Sequence, residues 1–154
     1  MTVQFTVNGQ ACQVEQDDRR VLTEHLRDGL GLKGTRYGCG QERCGACVVL
    51  VDGTPCHSCR SEVGHLHGKA VTTVEALDQS EEGRVLLAEF ERLQAAQCGF
   101  CLSGILVRAL AFVRESRDGS REAIAQALDG HLCRCGAHPR ILAAVQSAWQ
   151  ATRG

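Results

Sequence analysis

The sequence GCGQERCGAC, from Gly38 to Cys47, determines how the first half of this chain folds. Its three cysteines are separated by four and by two residues, and a fourth follows eleven residues later: Cys39, Cys44, Cys47 and Cys59. This is the spacing of plant-type [2Fe–2S] ferredoxins. The glycines between the cysteines let the backbone approach a compact, negatively charged cluster and offer it N–H donors. The stretch therefore predicts an iron–sulfur site in a glycine-rich loop.

Two alternatives stay open for this first cysteine set on spacing alone. A zinc ion also binds four thiolates, but zinc ribbons present two Cys-x2-Cys pairs, and a four-residue spacing in a glycine-rich loop fits that pattern poorly. Cys56 competes with Cys59 as the fourth ligand, and the spacing does not decide between them. Cys12, in an alternating apolar stretch, is interpreted as a small buried strand residue.

A second cysteine set lies in the other half of the chain, as the two short pairs Cys98-x2-Cys101 and Cys133-x-Cys135. Each pair falls between two stretches with helical spacing, so two helical hairpins that face each other would bring four thiolates together. Helices that begin near Leu102 and Pro139 would direct N–H groups toward these thiolates. On spacing alone, a second iron–sulfur cluster, a zinc site and a redox dithiol all stay open.

The composition restricts the classes of function to consider. The chain has 154 residues, of which 44% are apolar and 23% charged, and its net charge is −1. Without a basic excess, the chain has no electrostatic basis for binding nucleic acid. The longest strongly apolar stretch, Ile105 to Val113, is interrupted by Arg108 and is too short to span a bilayer, so no membrane insertion is expected.

The N-terminal sequence MTVQFTVNGQ has no charged region followed by an apolar one, so no secretory signal is expected and the predicted location is cytoplasmic. In a reducing cytosol, the ten cysteines are better explained by metal binding than by disulfides. Export in complex with a partner that carries its own signal is also compatible with this sequence.

The first half is predicted to form a small mixed β-sheet with one helix across it. Val3 to Val7 alternates apolar and polar residues, and Asn8-Gly9 predicts a tight turn before a return strand. A second hairpin is predicted at Asp52-Gly53 and a last strand over Ala70 to Val74. The apolar residues between Val21 and Leu30 predict the helix.

The second half is predicted to be helical. Four stretches with apolar residues at helical spacing start near Val85, Ile105, Ala123 and Ile141. Pro139 suits the first turn of the last helix. This change from strand-like to helical patterns divides the chain into the predicted domains 1–76 and 77–154. Each domain is small enough for a bound metal to contribute to its stability.

Together, these motifs resemble the small iron–sulfur subunit of the xanthine oxidase family of molybdenum hydroxylases. The resemblance runs from the Asn8-Gly9 hairpin to the last helix, and its motifs are YGCG, CGACVVLVDG and SC in the first half and QCGFC and LCRC in the second. It implies an α+β fold, in which a ferredoxin-like β-grasp domain precedes a four-helix domain and each holds one [2Fe–2S] cluster. The implied ligands are Cys39, Cys44, Cys47 and Cys59, then Cys98, Cys101, Cys133 and Cys135, which leaves Cys56 at an ordinary apolar position.

The resemblance also implies a function as an electron-transfer subunit of a hetero-oligomeric oxidoreductase. A large partner subunit would carry molybdopterin, as its cytosine dinucleotide, and oxidise an N-heteroaromatic compound or an aldehyde. An FAD subunit or a c-type cytochrome would accept the electrons. No catalytic acid or base is then expected in this chain. The alternative is a free-standing ferredoxin-like carrier, although a lone carrier has no need of a second, helical cluster domain.

Within such a complex, the helical-domain cluster would lie next to the pterin. Gln97 and Cys135 would contact that cofactor, while the ferredoxin-like cluster would face the acceptor. The amide of Gln97 suits this role because it offers both donor and acceptor groups. The alternative role for Gln97 is a cap on nearby backbone.

Three stretches depart from the usual sequence of the family. Glu42 stands where the family usually has glycine in the cluster loop. The glutamate is expected to stiffen this edge of the loop or to change its charge. CLSG, from Cys101, replaces CTPG, and CRCGAHPRI, from Cys133, replaces CRCTGYxxI. The last variant resembles the isoquinoline 1-oxidoreductase and nicotinate dehydrogenase branch, some of whose members pass electrons to a cytochrome rather than to an FAD subunit.

Overall fold

A five-stranded mixed sheet forms the N-terminal part of the computed structural model, which describes residues 1–154. The strands are β1 (Thr2–Val7), β2 (Gln10–Glu15), β3 (Val48–Val51), β4 (Thr54–His57) and β5 (Ala70–Thr72). Their order across the sheet is β2-β1-β5-β3-β4. β1 and β5 run parallel and the other neighbours antiparallel, so the predicted mixed sheet is confirmed.

Both predicted hairpin turns are present. Asn8 and Gly9 have φ angles of 52° and 80°, and Asp52 and Gly53 have φ angles of 50° and 80°. Two consecutive residues with positive φ make the tight turn whose twist matches that of the flanking strands. Asn and Asp enter this region more readily than other residues with a Cβ, which is why these dipeptides predict the turns.

The helix predicted between Val21 and Leu30 is present, but it is not a regular α-helix. It begins as α1 (Leu22–Glu24) and continues as a π-helical turn, His25–Gly29. The N–H of Leu30 donates to the carbonyl oxygen of His25, five residues earlier, at 3.0 Å. A short apolar pattern does not distinguish this wider turn from an α-helical one, so the sequence predicted the element but not its type.

Four helices make up the C-terminal part, as predicted. They are α2 (Glu81–Arg92), α3 (Leu102–Glu115), α4 (Arg121–Ala127) and α5 (His138–Ala151). The hydroxyl groups of Ser80 and Ser120 cap α2 and α4 by accepting backbone N–H bonds at 3.1 and 3.2 Å. Pro139 lies in the first turn of α5. None of these helices combines the length and the apolar character that crossing a membrane requires.

β3 lies between two hydrophobic cores. Val49 packs in the core of the sheet, whereas Val48 and Leu50 belong to a larger core formed with α2 to α5. Successive side chains of a strand point to opposite faces, so a strand buried on both faces is apolar throughout. The helical part is therefore built directly on the sheet. The predicted division after residue 76 stays a prediction, and a 3₁₀ helix, Val74–Gln79, lies across it.

Candidate metal centres

The first cysteine set is formed by the 38–47 loop and the hairpin of β3 and β4. Cys47 directly precedes β3 and Cys59 follows β4, so the hairpin brings both to the same end. The N–H and the hydroxyl group of Ser58 both donate to the carbonyl oxygen of Cys47, at 3.3 and 2.6 Å, which holds the two chain ends together. Cys47 and Cys59 are both buried.

The other two cysteines of this set lie in the loop, where backbone N–H groups point at sulfur. Cys39 Sγ accepts from the N–H groups of Gln41 and Arg43, both at 3.3 Å, and Cys44 Sγ accepts from the N–H of Cys39 at 3.4 Å. The N–H groups of Arg43 and Gln41 lower the pKa of the Cys39 thiol to about 7, whereas burial raises the pKa of Cys47 to about 12. N–H donors that stabilise a free thiolate would also stabilise a metal-bound one.

The loop is packed closely around Cys44. A Cβ atom added at Gly38 would lie 2.7 Å from Cys44 Sγ, so this position has room only for glycine. Glu42 has a φ of 59°, in the left-handed region that a residue with a Cβ adopts at a cost. The loop therefore keeps a glycine-like backbone at a position that carries a charged side chain.

The second cysteine set lies at the ends of helices. Cys98 and Cys101 precede α3, and Cys133 and Cys135 precede α5. All four cysteines line the same small cavity. The N–H of Phe100 lowers the pKa of Cys98, whereas burial raises the pKa of Cys101 to about 12.

Each set gathers four cysteines. All four of the second set line one small cavity, and in the first set Cys44 Sγ accepts from the N–H of Cys39 while the β3–β4 hairpin brings Cys47 and Cys59 to the same end. No three Cys, His, Asp or Glu side chains are placed to hold one metal ion. A [2Fe–2S] cluster takes two cysteine sulfurs on each of its two irons, so both donor sets fit such a cluster.

Cys56, the alternative to Cys59 in the first set, points elsewhere. Its Sγ lies 3.1 Å from the Oγ of Ser61. Cys59, by contrast, is buried and follows β4 at the same end of the hairpin as Cys47. Cys12 is half-buried on β2, beside the core of the sheet.

Gln97 lies at the edge of the second set. It is exposed and lines the same small cavity as Cys98, Cys135 and the other two cysteines of that set. Its side chain makes no hydrogen bond within the chain, so it does not cap the nearby backbone. The amide is free to bond a molecule outside this chain.

His131, which lies between the two sets, was not predicted to be a functional residue. Its side chain is buried, its Nδ1 has no hydrogen-bond partner, and burial lowers its pKa to about 4. The N–H of the next residue, Leu132, donates to the carbonyl oxygen of Cys44 at 3.0 Å. The one available signal was the position of His131 two residues before Cys133.

The surfaces around the two sets differ in character. Phe100 and Leu132, which flank the second set, are large apolar residues that are 47% and 62% exposed. The exposed residues of the first loop include the polar or charged Gln41, Glu42 and Arg43, and beside the loop Tyr37, packed near Gly40, is 55% exposed.

Both halves match known families. Residues 5–88 match the 2Fe-2S iron-sulfur cluster binding domain, and residues 73–146 match the [2Fe-2S] binding domain. One of the subunits of nicotinate dehydrogenase from Pseudomonas putida is 38% identical over 152 residues, which cover 99% of this chain and 97% of that protein. The alpha subunit of isoquinoline 1-oxidoreductase from Brevundimonas diminuta is 37% identical over 150 residues, which cover 95% and 96%.

A solved structure agrees with these relatives. A chain of quinoline 2-oxidoreductase from Pseudomonas putida 86 superimposes with a TM-score of 0.89 at 36% identity, covering 99% of this chain and 96% of that chain. Fold and site thus define a two-domain [2Fe–2S] electron-transfer protein.

More specifically, the chain belongs to the small iron–sulfur subunits of the xanthine oxidase family of molybdenum hydroxylases. It is a subunit of an oxidoreductase complex, and in the homologous complexes of this family a large subunit carries molybdopterin. The predicted fold and electron-transfer function are confirmed, and a free-standing carrier is not favoured. The assignment of individual ligands stays a prediction.

Proposed function

We propose that two [2Fe–2S] clusters are held by eight cysteines, with the second cluster receiving electrons from molybdopterin and the first passing them to an external acceptor. The ligands of the first are Cys39, Cys44, Cys47 and Cys59, and those of the second are Cys98, Cys101, Cys133 and Cys135. The observation that carries this proposal is that the fold gathers each set: the four cysteines of the second line one small cavity, and the β3–β4 hairpin brings Cys47 and Cys59 to the same end, next to the loop of Cys39 and Cys44. Each cluster, when bound, takes up and releases one electron at a time.

The residues of this chain would adjust the potentials of the two sites in different ways. N–H groups of Gln41 and Arg43 directed at Cys39 would stabilise added negative charge at the first site. Burial of Cys47 and Cys101 keeps water from one side of each site, which has the opposite effect on a negatively charged cluster.

The second site would face the large subunit. Phe100 and Leu132 are exposed apolar residues beside its cysteines, and a stable subunit interface would bury them. Gln97, whose amide is free of bonds within the chain, would donate to and accept from the pterin, with Cys135 next to it. The pterin is expected to be the cytosine dinucleotide.

The remaining partners follow from the relatives and from the polar first loop. Nicotinate, isoquinoline and quinoline, in the names of the relatives, support an N-heteroaromatic substrate for the complex, and an aldehyde is the second class. An FAD subunit or a c-type cytochrome would dock at the first loop. The complex would be cytoplasmic, or exported together with a signal-bearing partner.

Purification of the native complex tests these proposals together. We expect about four iron atoms per chain and two distinct EPR signals on reduction, one for each cluster. About two iron atoms per chain in a fully loaded, active complex would contradict the ligand assignment, and a colourless, zinc-containing protein would contradict iron–sulfur binding altogether. Turnover of a panel of N-heteroaromatic compounds and aldehydes identifies the substrate class. Elution of this chain alone, at its own mass of 16.6 kDa, would contradict the complex.

A further inference from the structure

The two cysteine sets are joined by a single backbone hydrogen bond. The N–H of Leu132 donates to the carbonyl oxygen of Cys44 at 3.0 Å. Cys44 belongs to the first set, and Leu132 is bonded directly to Cys133 of the second. A route between the two sites therefore crosses only one non-covalent contact, from Cys133 through Leu132 to Cys44.

The ring of His131 fills the space next to this hydrogen bond. His131 is 6% exposed, and a Cβ atom added at Gly45 would collide with its Nδ1. Gly45 has a φ of 78°, so its backbone also requires glycine. On the other side, a Cβ atom at Gly104 of α3 would collide with the carbonyl oxygen of Gly45. The loop after Cys44 is thus enclosed between a histidine ring and a helix.

The part of His131 that contacts this loop makes no hydrogen bond. Nδ1 is buried and has no partner, whereas the backbone of His131 is held by Leu128, whose carbonyl oxygen accepts the His131 N–H at 2.9 Å. His138 Nε2 lies 3.3 Å from the carbonyl oxygen of His131. The ring therefore acts here through its shape and rigidity.

We propose that His131 is a positioning residue for electron transfer between the two sites, because its ring holds the Gly45 backbone and keeps the Leu132–Cys44 hydrogen bond short. This proposal rests on the ligand assignment made above. In the step, one electron leaves the second site and enters the first, so one site is oxidised as the other is reduced. No bond forms or breaks and no proton moves. Electron tunnelling slows steeply as the gap between the connected groups widens, so a loosened junction slows the step.

Three substitutions in the full chain, with both clusters loaded and in complex with the large subunit, test this role. His131→Ala removes the ring, His131→Leu keeps an apolar side chain of smaller size, and His131→Phe keeps a ring without nitrogen atoms. The readouts are the magnetic interaction between the two reduced clusters by EPR, the rate of electron equilibration between them after a short reducing pulse, and iron per chain. We expect His131→Ala to slow equilibration about tenfold, His131→Leu about threefold, and His131→Phe by less than about twofold.

His25 supplies a matched control. It is also a buried histidine, 7% exposed, with both ring nitrogens unpartnered, but it packs on Phe5 in the core of the sheet. His25→Ala removes the same ring from the same chain and should leave the magnetic interaction and the equilibration rate unchanged.

The possible results are distinct. Unchanged interaction and rate in His131→Leu at full iron content overturn the proposal, whatever the Ala variant does. A loss in His131→Phe as large as in His131→Leu shows that the ring shape is not what matters and also overturns it. A wild-type complex with fewer than about four iron atoms per chain contradicts the ligand assignment instead.

Discussion

The two cysteine sets share the same chemistry but sit in opposite surroundings. The first lies in a loop that exposes Gln41, Glu42 and Arg43 next to the ring of Tyr37, and its outermost thiol, Cys39, is exposed. The second lies at helix ends between Phe100 and Leu132, two of the few large apolar side chains that this chain exposes.

The proposed function requires two kinds of contact: a permanent one with the large subunit and a temporary one with the electron acceptor. Obligate interfaces are more apolar than transient ones, and charged residues favour fast, reversible encounters. The apolar rim, formed by Phe100 and Leu132, therefore suits a large subunit that stays bound. The charged rim, formed by Glu42 and Arg43, suits an acceptor that binds and dissociates. Four experiments test this contrast, and the first tests whether two separate sites exist at all.

Replacing Cys59 should have the largest effect and should act on one site only. We expect Cys59→Ser to remove or shift the EPR signal of the first cluster and to leave that of the second intact; a shifted signal is included because a serine oxygen can also bind iron. Iron analysis and EPR of the reduced complex measure this. Cys56→Ser is the control and should keep both signals, since Cys56 lies against Ser61. The opposite pattern would exchange the roles of the two cysteines.

The apolar rim should control assembly. Leu132→Glu and Phe100→Glu each place a charge in the expected interface, and each should weaken binding of the large subunit by at least about 2 kcal/mol. Analytical gel filtration or titration of the loaded chain with the large subunit measures this. Leu30→Glu is the control, because Leu30 is an apolar residue that is 39% exposed and lies beside the β1–β2 hairpin rather than beside the second set. Equal weakening in all three variants would show that the rim has no special role.

Gln97 tests whether the second site reaches the pterin. Gln97→Ala should keep all iron but slow cluster reduction by substrate about tenfold, or lower molybdenum retention, because one hydrogen-bonded contact is lost. Stopped-flow reduction, normalised to molybdenum content, measures this. Gln94 provides the control, since its side chain donates to the carbonyl oxygen of Glu91 at 2.8 Å and so does cap the backbone. Gln94→Ala should lower stability without changing the rate, and wild-type rate and molybdenum content in Gln97→Ala would exclude the contact.

Glu42 should give the smallest effect, confined to the first site. Glu42→Gly relieves a left-handed backbone and should stabilise the loaded chain by about 0.5–1 kcal/mol, after the entropy cost of glycine is subtracted. It should also raise the reduction potential of the first cluster, because a negative charge is removed nearby. Glu42→Gln removes the charge and keeps the backbone cost, so it should raise the potential without the gain in stability. Thermal loss of cluster absorbance and redox titration separate the two effects, and a matching shift at the second cluster would contradict this assignment.

The sequence correctly predicted those turns and helix starts that depend on only one or two adjacent residues. Asn8-Gly9 and Asp52-Gly53 make turns because their residues tolerate positive φ, and Pro139 begins α5 because it suits a first helical turn. The π-helical turn at His25–Gly29 was not predicted, because a short apolar pattern fits both kinds of helix.

Features that depend on contacts between distant residues were not predictable. The VVLV sequence of β3 shows that the strand is buried on both faces but not that one face packs against the helices. His131 has its role only because the fold places its ring against Gly45, far away in sequence. The prediction of Cys59 rather than Cys56 as a ligand came from the family resemblance, because the spacing alone does not decide between them.

The position of β3 between two cores matters while the chain is being synthesised. Val48 and Leu50 leave the ribosome well before α3, which covers them in the finished protein. A nascent first half therefore displays an apolar strand face, and such surfaces bind chaperones or aggregate until they are covered. Cutting the chain after the sheet would not yield a small independent ferredoxin, because the fragment would keep that bare face permanently.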